Sequence, residues 1–198
     1  MSLSRGGLIM KDRIMQAFIE EIHHKGMKFT MDDLAKRLGI SKRTLYEHFS
    51  SKVEILDTII TQTLQDFDQK TEAIMNNENL SLVDKMKRVI TVIPEYNDFY
   101  DLRIIEQMKR YYPAQWKQLN VALNQWDSLR ELMKQGIEEG IIVNRNLDLM
   151  MKVIIDAVNS TLDRSFFLEN RLTVSDALDT IVDMLLHGLL TSKVKSTF

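Results

Sequence analysis

The chain of 198 residues has no cysteine. Disulfides, thiolate nucleophiles and zinc–cysteine sites are therefore excluded, and the composition suits a reducing compartment; the expected location is the cytoplasm. It has two prolines and seven glycines, so strand and turn chemistry is scarce and helices are expected throughout. No apolar run approaches the roughly 18 residues that a membrane span needs. Residues 1–7 are short, polar and glycine-containing, without the apolar centre of a signal peptide. They read as a free arm or a cloning remnant. The usual catalytic motifs are missing too: no glycine-rich phosphate loop, no GxSxG elbow and no HExxH. The chain is thus not read as an enzyme, and no cofactor is expected. Asp179, Asp183 and His187 stack four apart on one helical face that could meet a metal. They read instead as the solvated side of an apolar helix. His23 and His24 are neighbours about 100° apart on a helix, so they cannot chelate one ion together.

Charge is unevenly spread. The net charge is −2, but residues 1–52 hold ten Lys or Arg against six Asp or Glu, and the remainder sixteen against twenty-two. A head of +4 on a body of −6 fits one end that faces a polyanion and another that does not.

The stretch from Phe29 to Lys52, FTMDDLAKRLGISKRTLYEHFSSK, carries the strongest local signal. Thr30 is a natural N-cap with Asp33 three residues on, as in a capping box. Leu34, Ala35 and Leu38 form a stripe at helical spacing. Gly39 offers a left-handed turn residue, and Ile40 plugs the corner. Ser41 caps a second short helix in which Leu45 and Phe49 face inward. Ser51 opens a third, with Glu54 as its capping-box partner. Ala35 is small where two helices must cross closely. This is a helix-turn-helix whose second helix would read DNA. That helix presents Lys42, Arg43, Thr44, Tyr46 and His48, all donors suited to phosphates or base edges. With Leu45 taken as inward, Arg43 lies at about 160° and Glu47 at about 200°, both pointing straight outward. The pair is therefore either an intrahelical salt bridge or a reader of guanine, with Lys42 as the alternative reader.

Thr30, Asp33-Leu34-Ala35, Leu38-Gly39-Ile40-Ser41, Thr44-Leu45-Tyr46, His48-Phe49 and Lys52 resemble the N-terminal signature of the TetR family of bacterial repressors. The likeness covers about the first quarter of the chain. It implies an all-α protein with a three-helix DNA-binding domain over residues 1–52. Residues 53–198 would be a helical domain for ligand binding and dimerisation. It also places Thr30, Tyr46, His48 and Lys52 at backbone phosphates, within a DNA-binding set that adds Ser41, Lys42, Arg43, Thr44 and Glu47. The sequence departs from the family at two of these positions. Members often carry a small residue where Arg43 stands and an aromatic at the position of Glu47.

Helical patterns continue to the end. Residues 8–25 carry Ile14, Met15, Phe18, Ile19 and Ile22 on one stripe. A long helix is expected from Ser51 to about Met75, another from Leu80 or Ser81 until Pro94 stops the pattern, and a third from about Asp98 to Tyr111. Pro113 opens a helix expected to run to about Glu138. The last two, about Leu147–Leu168 and Val174–Leu190, are apolar over so wide an arc that they need cover on two sides. A second copy of the chain would supply one side through Val158, Leu162, Phe166, Leu178, Ile181, Leu185 and Leu189. The middle helices are rich in aromatics and methionine. Met86, Tyr96, Phe99, Tyr100, Met108, Tyr112, Trp116, Trp126 and Met133 are the candidate lining of a small-molecule cavity.

The expected function is that of a homodimeric transcriptional repressor, released from a palindromic operator in double-stranded DNA by a small-molecule effector. The alternatives are a helical adaptor for a protein partner and a non-repressor DNA-binding protein without a small-molecule effector.

Overall fold

A computed structural model describes residues 5–96, 99, 101–124 and 126–190, with the side chains of 5–8, 164 and 168 excepted. Among the described residues eleven α-helices occur and no strand beyond one isolated bridge, Ile142 with Leu190. The helices are α1 Arg5–Lys25, α2 Met31–Leu38, α3 Lys42–His48, α4 Lys52–Met75, α5 Leu82–Ile90, α6 Leu102–Tyr111, α7 Pro113–Asn124, α8 Asp127–Glu138, α9 Leu147–Asn159, α10 Arg164–Asn170 and α11 Val174–Leu189.

The chain forms two compact units. The first is Met1–Gln65 with Glu95–Asn120, and the second is Asp66–Pro94 with Val121–Phe198. The division differs from a cut at residue 52, because α6 folds onto the first unit. Its Gln107 Oε1 accepts the backbone N–H of Met27 at 2.7 Å, in the 3-10 turn between α1 and α2. Gly26 begins that turn at φ +67, and a Cβ there would lie 2.3 Å from Gln107 Oε1.

The core of the first unit is the stripe read from sequence. Ile14, Phe18, Ile22, Leu34, Leu45, Phe49, Leu56 and Ile59 are all essentially buried. Phe18 meets Phe29 edge-on at 5.1 Å. The second unit is centred on Met86, Ile90, Leu129, Met133, Met151, Ile154, Val182 and Leu186.

Two helices expected to be continuous are broken. The helix from Pro113 ends at Asn124, and Trp126 leaves helical geometry (φ −127, ψ 55) before α8. This turn lets the indole lie edge-on to Phe67 at 6.3 Å while its N–H donates to Leu123 O at 3.3 Å. The helix from Leu147 stops at Asn159 and tightens into a 3-10 turn, Ser160–Leu162. There the hydroxyls of Ser160 and Thr161 donate to the carbonyls of Ala157 and Val158, competing with the helical ladder. Asp163 (φ −80, ψ 81) ends the run. Helix α6 begins at Leu102 because Asp101, 2% exposed, caps it and also grips the Arg103 guanidinium. The expected start at Asp98 lies outside the described residues.

Candidate nucleic-acid interface

The helix-turn-helix is built as its residues dictate. The Thr30 hydroxyl accepts the Asp33 N–H at 3.2 Å, and the Asp33 carboxylate accepts the Thr30 N–H at 2.8 Å, so both halves of the capping box form. These bonds, with Lys25 at 3.0 Å, hold the Asp33 carboxyl well below the usual carboxylate range. Gly39 adopts φ 66, ψ 29, and the next N–H, from Ile40, reaches back to Ala35 O at 3.1 Å. The Ser41 hydroxyl caps α3 by accepting the Thr44 N–H at 3.0 Å. Inside, Leu45 is fully buried and Phe49 nearly so.

A charge cluster that composition did not reveal fixes α2 on α1. Glu21 is 2% exposed and takes Lys25 at 2.7 Å and the Arg37 Nε–H; Arg37 also reaches Glu20 at 3.1 Å. Burial alone would raise the Glu21 carboxyl, but the hydrogen bonds from Lys25 and Arg37 outweigh it and hold it below its ordinary value. The signal was available in the sequence. Glu21 stands three residues after Phe18 on the apolar stripe of α1, where a carboxylate requires partners.

The outward face of α3 carries the expected side chains. Arg43 is 90% exposed and Glu47 59%, and the Arg43 Nε–H donates to Glu47 Oε1 at 3.2 Å. Lys42 pairs with Asp32 of α2 at 2.7 Å. Tyr46 is 45% exposed, Thr30 and Ser41 are exposed, and Thr44 and His48 are half-buried. These eight residues lie on α3 or at the start of α2. Lys52 is placed differently. Its ammonium turns inward, donates to Met27 O at 2.8 Å and Phe29 O at 2.5 Å, and sits 3.9 Å from the Phe29 ring centroid. Burial pushes it below its ordinary pKa. The expected Ser51–Glu54 box is also altered. The Ser51 hydroxyl accepts the Glu54 N–H at 3.2 Å, but the Glu54 carboxylate accepts from the N–H and hydroxyl of Ser50.

The family model for bacterial regulatory proteins of the tetR family matches residues 14–59, the span that holds this helix-turn-helix. The HTH-type transcriptional regulator YvaF of Bacillus subtilis strain 168 is 30% identical over 181 residues, 91% of this chain and 95% of that protein. The chain belongs to the TetR family. It is a helix-turn-helix transcriptional regulator. A second likeness, to the biofilm-operon HTH-type negative transcriptional regulator IcaR of Staphylococcus aureus strain Newman, is higher in identity but shorter. It is 38% identical over 73 residues, 36% of this chain and 38% of that protein. Among solved structures, the ketosteroid transcriptional regulator KstR2 of Mycobacterium tuberculosis superposes with a TM-score of 0.74 at 18% identity. That match covers 97% of this chain and 98% of that one, and it shows the shared TetR-family fold.

The remaining candidate residues fall in separate places. Phe99, Met108, Tyr96, Tyr112 and Trp116 belong to the first unit, whereas Met86, Trp126 and Met133 belong to the second. Phe99, Met108, Met86 and Met133 are buried, and the other four are half-buried. Tyr100 lies outside the described residues. Burial raises the phenols of Tyr96, to about 12, and Tyr112. Of the candidate interface set, Leu178 is 4% exposed within its own chain and Phe166 is 54% exposed. Val158, Leu162, Ile181, Leu185 and Leu189 are half-buried. Exposed Leu149, Val153 and Met184 add to the apolar surface of α9 and α11, and none of the three is in the set expected from sequence. Asp183 pairs with Lys87 at 2.7 Å. No described helix is long and apolar enough to cross a membrane.

Proposed function

We propose that this TetR-family regulator is a homodimeric repressor that leaves a palindromic operator when a small molecule binds. The observation that carries the DNA half is the outward face of α3. Lys42, Arg43, Tyr46 and Glu47 are exposed on a helix whose opposite side is anchored in the core by Leu45. Ser41, Thr44, Thr30 and His48 flank that face and contact phosphates, while Arg43 reads a base edge. Lys52 supports the interface by holding the turn before α2.

A dimer follows from the apolar surface of α9 to α11. A half-buried row of leucine, isoleucine and valine, with Phe166 more than half exposed, needs cover that a single chain does not provide. Two copies would set their α3 helices one duplex turn, about 34–36 Å, apart. An effector that favours another spacing then draws the population off DNA. The buried methionines of α5 and α8 in the second unit, Met86 and Met133, supply an adaptable apolar lining for it. IcaR is named a negative regulator, which fits repression, and KstR2, of like fold, is named a ketosteroid regulator, which fits a small apolar effector. Location in the cytoplasm, where DNA is accessible, belongs to the same reading.

The test is transcription from a promoter carrying an operator selected by the protein. Removing the protein should raise transcription. A fall would make it an activator.

A further inference from the structure

The helix-turn-helix offers few uncommitted positive charges. Residues 30–52 hold five Lys or Arg against three Asp or Glu. Lys42 and Arg43 are each paired to a carboxylate, Arg37 to Glu20 and Glu21, and Lys52 points inward. Binding to a duplex draws much of its strength from cations at phosphates. The first unit holds such cations elsewhere. Residues 107–120, QMKRYYPAQWKQLN, contain three basic residues, no acidic one and three aromatics. Lys28, two residues before the α2 cap, lies over the Tyr111 ring at 5.9 Å from its centroid, and Arg110 lies over the same ring at 5.4 Å. Lys109 lies over Trp116 at 4.5 Å. All three cations are exposed, and among the described residues none has a carboxylate within ion-pair distance. A ring orients a cation without neutralising it, so the full charge stays available. Tyr111, 37% exposed, adds a hydroxyl donor.

We infer that Lys28, Arg110 and Lys109, held on Tyr111 and Trp116, form a second DNA-backbone contact surface outside the helix-turn-helix. The partner is a duplex phosphate strand. A patch of unpaired cations joined to the unit that carries α3, beside the turn leading into Thr30, extends the same polyanion-facing surface. The inference rests on the DNA-binding reading. It adds that α6 and the start of α7 take part in binding, without reading sequence.

The experiment is the salt dependence of affinity between 50 and 200 mM salt. The full chain is titrated against a mixed-sequence duplex of about 30 base pairs, long enough to offer flanking phosphates, and against a selected operator. In Lys28→Ala/Arg110→Ala the slope of log affinity against log salt should flatten by about one for each phosphate left without its cation, about two in all. The weakening should be equal on both duplexes, with unchanged thermal unfolding. Lys28→Glu/Arg110→Glu should weaken binding on the order of tenfold at the lowest salt. An unchanged slope overturns the inference. If binding to phosphatidylglycerol vesicles then falls in the same variants, the patch meets a lipid surface instead. A wild-type chain that binds neither duplex overturns the DNA reading and the patch with it. Wild-type binding with an unchanged mutant slope overturns the patch alone.

Discussion

Replacing Lys52 by Ala separates two roles that sequence alone does not distinguish. In the structure its ammonium donates to Met27 O at 2.8 Å and Phe29 O at 2.5 Å and sits 3.9 Å from the Phe29 centroid. Hydrogen bonds from a charged donor contribute about 1.5–3 kcal/mol each when both partners are dry. Lys52 is half-buried, so solvent already screens part of this interaction. The ring contact adds about 0.5–1 kcal/mol. A net destabilisation of about 2–3 kcal/mol follows, against a total stability of about 5–15 kcal/mol. For a chain of this size each kcal/mol moves the unfolding midpoint by about 2–4 °C, so Lys52→Ala should lower it by about 4–12 °C. Differential scanning calorimetry measures this directly. Lys52→Met, which keeps the stem, should recover only the packing part. A lysine that contacts phosphate would behave oppositely. Its removal would leave the midpoint unchanged and flatten the salt slope of DNA binding by about one. That pair of results would refute the inward role.

Other outcomes follow from the same geometry. Phe166→Glu should yield monomers by sedimentation without loss of helicity, because the ring is 54% exposed in the single chain; intact dimers would remove Phe166 from the interface. Leu185→Glu should give monomers too, but with lower stability, since Leu185 also packs on its own core. Gly26→Ala should lower the unfolding midpoint, because its φ is +67 and a Cβ would meet Gln107 at 2.3 Å; an unchanged midpoint would show that the turn adapts freely. Glu21 and Asp33 titrate below their ordinary values in the folded chain. The stability they confer is therefore full above the unfolded carboxylate pKa of about 4 and lost as pH falls through the folded values. Glu21→Gln should weaken that acid dependence, and an identical acid-unfolding profile would count against the cluster.

Local rules made much of the fold legible. Thr30, Asp33, Gly39 and Ser41 act within three or four residues of themselves, and each forms the bonds its spacing required. The outward direction of Arg43 and Glu47 follows from helix geometry alone, and so does their mutual bond. Tertiary competition was not legible. Lys52 could have met solvent, phosphate or backbone, and only the position of Met27 and Phe29 decides for backbone. The breaks at Trp126 and Asp163 fall inside continuous helical patterns, because a ring seeking Phe67 and hydroxyls seeking carbonyls override propensity. The return of α6 to the first unit depends on Gln107 meeting a turn eighty residues earlier.

The central claim, that α3 reads DNA through Arg43, is tested most directly by operator selection from a random pool with wild type and Arg43→Ala side by side. Wild type should recover a palindrome with half-sites about one helical turn apart. The mutant should recover the same palindrome with base preference relaxed at one position per half-site, a drop of about 1–3 kcal/mol in discrimination. Identical preferences from both proteins, with only overall affinity changed, would contradict the claim and leave Arg43 a contact to phosphate.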